Sequence, residues 1–203
     1  MNEFFFSMYR DVPGWIITLE TIVFFFGILS VYFAKQQNIR VFPTGLIATT
    51  ISVFLLYRAG YMADMTINLY YSLMSIYGWY CWAKPSENGK TLTVSRTSPN
   101  EKIIGVALFV LTIIVTFTIY KIFDVDLLIE NYVDLFTSGL FFTAMWYMAR
   151  KKLENWMLWI VGNLITIPLY AYKGLGILSL QYVIFTVLAL LGYLAWKKEL
   201  EQK

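Results

Sequence analysis

The sequence predicts an all-α membrane protein with seven transmembrane helices, and three observations support this fold class. Hydrophobic residues make up 59% of the 203 positions and charged residues only 14%, which leaves too little polar surface to cover a water-soluble globule. Apolar runs of about the length that a bilayer requires recur along the chain, separated by short polar connections. Lys and Arg are also unevenly divided between alternate connections, as they are on the two sides of a membrane.

The apolar runs define the predicted helices in chain order. They lie at residues 15–33, 41–57, 63–82, 103–122, 134–149, 156–172 and 177–196. The segment from Met1 to Gly14 lacks a basic region followed by a cleavable apolar stretch, so we expect a short interfacial helix and not a signal peptide. The longest connection, Pro85–Asn100, is rich in turn-forming residues and is expected to be a mobile cytoplasmic linker.

The basic residues predict the orientation of these helices. Of the sixteen Lys and Arg residues, twelve lie in connections that would share one side of the membrane. These are Lys35 and Arg40, then Lys84, Lys90, Arg96 and Lys102, then Arg150, Lys151 and Lys152, and finally Lys197, Lys198 and Lys203. Because Lys and Arg remain on the cytoplasmic side, the C-terminus should lie in the cytoplasm, the N-terminus outside, and the number of spans should be odd.

A weak internal repeat divides this single transmembrane domain, 1–203, into two halves. Shifting the first half by 114 positions places Gly78 on Gly192 and Trp82 on Trp196. We therefore expect a three-helix unit at 1–82 and a second at 134–203. Between them, 83–133 should supply the cytoplasmic linker, a fourth helix and an outer loop. Because three is odd, the fourth helix would restore the same orientation to both units, as in transporters with parallel repeats.

Composition excludes several classes of chemistry. The chain has one cysteine, Cys81, and no histidine, so neither an intramolecular disulfide nor the usual imidazole metal site is expected. Neither a phosphate-binding Gly-rich loop nor a nucleophile with a histidine base is present, so we predict no enzyme, cofactor or metal. The basic residues follow the loops and form no stripe, which argues against nucleic-acid binding.

Span six carries the sharpest candidate binding cluster. Trp156, Trp159 and Asn163 are spaced so that they share one helical face. Two indoles one turn apart can hold a flat cationic ring, and Asn163 one turn further offers both a donor and an acceptor. The alternative is that both tryptophans belong to an interfacial aromatic belt, Trp156 more so than Trp159, and that Asn163 bonds a neighbouring helix.

Other polar candidates lie in spans one, three and seven. Asn68 and Tyr71 belong to a polar and aromatic stripe on span three, whereas Asp64 is expected at the rim. Gln181 is an amide in otherwise apolar sequence, and it either lines a cavity or closes a bond between helices. Glu20 lies inside span one, where a carboxylate is costly unless it faces water, a cation or a protein partner.

Several of these motifs together resemble PnuC-type vitamin transporters. They are Tyr61-Met-Ala-Asp64, Ser75-Ile-Tyr-Gly-Trp-Tyr-Cys-Trp82, Glu154-Asn-Trp-Met-Leu-Trp159 with Asn163, and Gly192-Tyr-Leu-Ala-Trp-Lys-Lys198. The resemblance implies a three-plus-one-plus-three fold like that of SWEET sugar transporters, in a homotrimer in the bacterial cytoplasmic membrane. It also implies passive uptake of nicotinamide riboside, trapped by intracellular phosphorylation. By the same resemblance Trp156, Trp159 and Asn163 match the substrate motif, and Asn68, Tyr71 and Gln181 occupy similar polar positions.

The sequence leaves the ligand and one other class of function open. Family members often have Gln where Asn68 stands here, and related branches carry thiamine or riboflavin. A membrane enzyme or a receptor subunit is the alternative from another class, supported by Glu20 and Asp134, which coincide under the 114-residue shift.

Overall fold

The computed structural model describes residues 12–60, 62–84, 92–122, 127–172 and 176–202, with side chains for all of these except 62–64. These residues form seven α-helices, which confirms the predicted all-α class and helix number. The helices are α1 (Gly14–Lys35), α2 (Val41–Ala59), α3 (Met62–Ala83), α4 (Pro99–Ile122), α5 (Ile129–Ala149), α6 (Glu154–Tyr172) and α7 (Gly176–Glu201). The predicted interfacial helix falls on residues 1–11, and the side chain of Asp64 also lies outside the described part.

Two helices begin earlier than their apolar runs because side chains cap them. At α4, the Ser98 backbone N–H donates to the Glu101 carboxylate over 2.9 Å, and the Glu101 backbone N–H donates to the Ser98 hydroxyl over 3.3 Å. This reciprocal pair satisfies amides that a helix start leaves unpaired. At α5, the Asn131 side chain accepts the Leu128 backbone N–H over 2.9 Å. Capping therefore lengthens both helices beyond the hydrophobic run.

Hydropathy alone distinguishes four of the seven helices. Helices α1, α2, α4 and α7 are long and apolar enough to cross a membrane by length and composition. Helix α5 is less apolar, yet it packs against α3, α4 and α6, so Thr137, Ser138 and Thr143 are buried against protein. Polar side chains cost little in a helix that is shielded from lipid in this way.

Six helices form a closed ring. Helices α1, α2, α3, α5, α6 and α7 pack one on the next in that order, and α7 closes the ring against α1. Helix α4 stands outside the ring, packs along α5 and barely touches α3. The ring contains two runs of three consecutive helices, and α4 joins them.

The internal repeat noted in the sequence recurs in the helices and in their contacts. Helices α1, α2 and α3 begin within one residue of a 114-position offset from α5, α6 and α7. The Trp82 indole N–H donates to the Ala149 carbonyl over 3.2 Å, and the Trp196 indole N–H donates to the Lys35 carbonyl over 3.3 Å. The two indole donors are 114 positions apart, and so are the two carbonyl acceptors. Each run of helices is therefore bonded to the other in an equivalent way.

Four aromatic rings close the bundle at the end where α1, α3, α5 and α7 finish, which we call the basic end. The rings belong to Phe42, Trp82, Trp156 and Trp196, and we call them the aromatic seal. All four are buried, with exposures of 1%, 6%, 1% and 0%. Phe42 meets Trp82 edge-on at 4.9 Å between centroids, and Trp156 meets Trp196 edge-on at 5.4 Å. Phe42 and Trp156 are also 114 positions apart, so the seal itself follows the repeat.

A polar bridge lies beside the aromatic seal. Gln37 and Lys151, again 114 positions apart, are the non-glycine residues with positive φ in the described part of the chain, at 54° and 50°. The Lys151 ammonium lies 3.4 Å from the Gln37 amide oxygen and 4.4 Å from the centroid of the Trp82 ring. The Gln37 amide N–H donates in turn to the Glu199 carboxylate. This bridge joins the two runs of helices.

The prediction of a mobile linker is wrong for residues 92–98. Val94 is 2% exposed, and the Ser95 backbone N–H donates to the Lys151 carbonyl over 3.1 Å while its carbonyl accepts the Leu153 N–H over 2.9 Å. The polar composition suggested solvent exposure, but backbone pairing to the α5–α6 turn and one buried valine anchor this segment. Residues 85–91 of the same predicted linker lie outside the described part.

Candidate functional site

Trp159 lies in a group of aromatic rings contributed by three helices. Its indole stacks on Phe141 of α5 with 5.1 Å between centroids and 23° between planes. On another side it faces Tyr71 of α3, at 6.5 Å and 51°. The structure thus brings together two residues that the sequence singled out, Trp159 and Tyr71, although they are far apart in the chain.

Trp156 lies elsewhere, although it shares the α6 face with Trp159. Its ring belongs to the aromatic seal, where it packs on Trp196 and against the backbone of Gly192. A Cβ added to Gly192 would lie 2.6 Å from the ring, so a larger residue would not fit without displacement. The alternative of a lipid-facing belt is therefore wrong for Trp156. Its described neighbours are those of a packed core, and its predicted role in binding a ligand stays a prediction.

Asn163 carries a buried polar atom that lacks a partner. The residue is 2% exposed, and its side-chain oxygen Oδ1 has no hydrogen-bond partner among the described residues. An unpaired buried carbonyl costs roughly 1–3 kcal/mol, so a folded protein usually retains one for a reason such as a ligand or an ordered water. The predicted alternative, in which Asn163 bonds a neighbouring helix, is therefore not met by this oxygen and stays a prediction for the amide nitrogen.

Asn68 and Tyr71 lie on the α3 face that looks toward the rest of the ring. Both are half-buried and both have interaction partners. The Asn68 backbone carbonyl accepts the Ser72 hydroxyl over 3.1 Å. Tyr71 also lies 6.0 Å from Phe142 between centroids, so it is positioned by α5 as well as by Trp159.

Gln181 lies on α7 where it meets α1. It is 7% exposed, and its Nε2 lies 3.4 Å from the position that a Cβ would occupy on Gly27. An alanine at Gly27 would therefore only touch the amide, which lies against the α1 backbone. The structure therefore places a second buried amide, in addition to Asn163, inside the ring of helices.

Glu20 lies on α1, and its Oε2 atom is buried without a hydrogen-bond partner among the described residues. Asp134, its equivalent under the repeat, is half-buried at the start of α5 and has an interaction partner. The two carboxylates thus have different surroundings. Among the residues that the structure describes, no three His, Cys, Asp or Glu side chains come together as a metal site would require.

Sequence reasoning missed two aromatic residues of this region, Phe141 and Tyr182. Phe141 stacks between Trp159 and Tyr182, and the Phe141 and Tyr182 planes are 20° apart at 6.2 Å. The repeat provided a signal for Tyr182, because the 114-position offset relates it to Asn68. No comparable signal marked Phe141 in a chain with sixteen phenylalanines.

The geometry of this region suits a flat, polar and partly cationic solute. Stacked rings attract a cation through their π faces and match a planar group in shape. The buried Asn163 amide supplies an oxygen acceptor whose unpaired state would disfavour a purely apolar molecule. Neither a nucleophile nor an acid–base pair is assembled around Trp159 by the described contacts, so the arrangement supports binding.

Comparisons with known proteins identify the family. The family model described as "Nicotinamide mononucleotide transporter" matches residues 17–198. The nicotinamide riboside transporter PnuC of Escherichia coli (strain K12) is 25% identical over 206 residues, which cover 90% of this chain and 85% of that protein. The riboflavin/roseoflavin transporter RibM of Streptomyces davaonensis is 26% identical over 128 residues, covering 61% of this chain and 58% of that protein.

A solved structure has the same fold. The crystal structure of the vitamin B3 transporter PnuC matches with a TM-score of 0.73 at 24% identity, over 97% of this chain and 86% of that chain. The resemblance predicted from the tryptophan and glycine motifs is confirmed by these matches.

Proposed function

Because the chain belongs to the nicotinamide mononucleotide transporter family, we propose that this multi-pass membrane transporter carries nicotinamide riboside into the cell. The similar proteins named nicotinamide riboside transporters support this substrate, since one of them aligns with 90% of the chain. The riboflavin/roseoflavin transporter, in contrast, aligns with 61% of the chain. Family membership also overturns the alternative of an enzyme or a receptor subunit.

One observation supports a cargo with a flat cationic ring and polar groups: a stacked indole next to an unpaired buried amide oxygen. Nicotinamide riboside has a planar cationic ring, a carboxamide and ribose hydroxyls. Trp159 can take the ring by stacking and cation–π attraction, and Asn163 Oδ1 can accept a hydrogen bond from the carboxamide or a hydroxyl. Thiamine, the alternative cargo, also has a cationic ring, whereas riboflavin is uncharged.

The proposed transport cycle uses the two runs of helices as moving units. We assign 1–82 and 134–203 as parallel three-helix units that each cross the bilayer three times, with the linker, α4 and outer loop of 83–133 between them. The aromatic seal and the Gln37–Lys151 bridge would close the basic end while the opposite end admits substrate. Movement of one unit against the other would then exchange access. Passive diffusion would follow the gradient, and intracellular phosphorylation would trap the product.

We further propose the bacterial cytoplasmic membrane as the location, with the N-terminus outside and the C-terminus in the cytoplasm. The excess of Lys and Arg at the basic end supports this orientation. Labelling of single cysteines introduced at Gly14 or Lys198, from outside intact cells, would test it. The homotrimer implied by the resemblance is part of the proposal, and the mass of the purified protein would test it.

Counterflow in proteoliposomes tests the substrate. Vesicles loaded with unlabelled nicotinamide riboside should accumulate the labelled compound, whereas thiamine and riboflavin should exchange at least tenfold more slowly. Equal or faster exchange of thiamine would reassign the cargo, and no exchange of any of the three by folded protein would refute the proposal.

A matched pair of variants tests the site. Trp159→Ala should reduce counterflow at least tenfold, because it removes the ring that stacks on Phe141 and faces Tyr71. Trp79→Ala is the control, because Trp79 is 41% exposed on the outer surface of the bundle. Equal tolerance of both changes, at equal protein stability, would contradict the assignment of Trp159.

A further inference from the structure

A groove runs along the outside of the bundle between α3 and α4. Both helices pack on α5, but they barely touch each other, so α5 forms the floor of the groove. Its central part is an apolar cavity of about 240 Å³. Residues from all three helices line this part, including Thr66, Ile67, Tyr70, Leu108, Leu111 and Phe142.

A second, basic cavity lies at the basic end of the bundle, where the end of α3 meets Leu92 and the α5–α6 turn. Arg150 and Lys152 of its lining pair with Glu101 at the start of α4. The cavity has a volume of about 300 Å³ and is lined by Tyr80, Cys81, Lys84, Leu92, Arg150 and Lys152. Three of these residues are cations, and none of the described residues that line the cavity is acidic. An anion is therefore the complementary ligand for this cavity.

The charge balance around the basic cavity remains positive after its ion pairs are counted. Lys152 lies 2.9 Å and Arg150 3.4 Å from the same oxygen of Glu101. The Lys84 ammonium lies 5.6 Å from the centroid of the Tyr80 ring. Glu101 thus pairs with two of the three cations, and among the described residues that line the cavity the positive charge is in excess.

The spacing along α3 relates the two cavities. Tyr70 lines the apolar cavity, Lys84 lines the basic one, and Tyr77 lies midway on the same face of the helix. The fourteen steps from Tyr70 to Lys84, which directly follows the end of α3, span roughly 21 Å. One leaflet of a bilayer, with its headgroup region, is about as thick, since both leaflets together measure roughly 40–45 Å.

We propose that this groove binds one anionic phospholipid from the surrounding bilayer. Its phosphate occupies the basic cavity beside Lys84 and Arg150, and an acyl chain lies in the apolar cavity between α3 and α4. Charge complementarity selects the headgroup, because basic pockets between membrane helices attract anionic lipids. Among the described helices α4 has no counterpart along α1, so those helices form such a groove on one side of the ring. The site is separate from Trp159 and does not depend on which vitamin is carried.

Cys81 provides a direct test, because it is the single cysteine of the chain and it lines the basic cavity. In purified, delipidated protein, phosphatidylglycerol should slow the reaction of Cys81 with a maleimide at least fivefold, whereas phosphatidylcholine should have little effect. The Cys81→Ser, Lys198→Cys protein is the control, because residue 198 is exposed at the same end but outside the groove. Its labelling should not respond to phosphatidylglycerol.

Native mass spectrometry of charge variants gives the second arm. The Lys84→Gln, Arg150→Gln protein lacks two of the cations that line the basic cavity. Its affinity for phosphatidylglycerol should fall by about 25-fold, since each cation near the surface contributes about fivefold in affinity for an anionic lipid. The Lys102→Gln, Lys198→Gln protein removes two exposed cations and should retain the lipid. Equal retention by both proteins, or no preference for phosphatidylglycerol over phosphatidylcholine, would overturn the proposal.

Other occupants of the groove would be recognised in the same assays. Equal protection of Cys81 by inorganic phosphate or glycerol phosphate would indicate a site for a free anion and would overturn the lipid proposal. Protection that rises with protein concentration without added lipid would indicate a second copy of the chain, with the same consequence. Neither assay contains nicotinamide riboside, so a negative result here leaves the proposed transport function untouched, and a failed counterflow assay leaves this site untouched.

Discussion

Replacing Gly192 with alanine would place a methyl group against the buried ring of Trp156. The added Cβ would lie 2.6 Å from two ring carbons and 2.7 Å from a third, well inside van der Waals contact. Trp156 is 1% exposed and is held edge-on against Trp196, so its ring has little room to move. Overpacking of this kind costs about 1–3 kcal/mol. In a protein of this size, that corresponds to a fall in melting temperature of about 2–12 °C.

The repeat supplies a matched variant, Gly78→Ala, and helix α1 supplies a control, Gly27→Ala. Gly78→Ala meets the ring of Phe42 in the equivalent position and should cost a similar amount. Gly27→Ala lies inside α1, where an added Cβ would be 3.4 Å from its nearest neighbour, so it reports the effect of alanine on helix formation alone. Melting would be followed by circular dichroism in detergent. If all three proteins melted together, the rings of the aromatic seal would not be packed as described.

Three further changes test other parts of the structure. Trp196→Phe removes the indole bond to the Lys35 carbonyl and should lower the free energy of unfolding by about 1–2 kcal/mol; unchanged melting would contradict that bond. Glu101→Gln removes the carboxylate that pairs with Lys152 and should lower the free energy of unfolding by about 1 kcal/mol. It should also speed proteolysis between α3 and α4, and high salt should have the same effect on the wild type. Equal cleavage rates would show that the ion pair does not hold the connection between these helices. Asn163→Leu removes an unpaired buried oxygen, so the free energy of unfolding should stay the same or rise by up to about 1 kcal/mol. Counterflow should nevertheless fall at least tenfold. If stability and counterflow were lost together, the role of Asn163 would be structural.

Much of the fold could be predicted because lipid imposes a simple rule on each helix. Apolar runs together with the charged connections between them located all seven helices, whereas length and hydropathy alone identify four. The boundary errors at α4 and α5 arose where caps such as the Ser98–Glu101 pair extend a helix beyond its apolar run. Docking of the segment around Val94 could not be predicted, because it depends on backbone bonds to a turn that lies far away in the sequence.

The candidate site was predictable only in part. Helical spacing correctly placed Trp156 and Trp159 on one face of α6, but spacing does not identify which helix covers each turn of that face. Trp156 meets α7 in the aromatic seal, whereas Trp159 meets α5 and α3. The contribution of Phe141 was hidden for the same reason, since only tertiary packing separates one phenylalanine from the others in a chain that is 19% aromatic.

The bridge between Gln37 and Lys151 shows what is gained when two similar halves are joined in one chain. In a symmetric dimer, residues facing each other across the two-fold axis are identical, so a lysine at this position would oppose a second lysine. Here the two positions share the same left-handed backbone, with φ of 54° and 50°, yet one holds an amide and the other an ammonium that lies 3.4 Å from it. Covalent fusion has freed the two positions to differ, and a repulsive pair has become an attractive one at the basic end of the bundle.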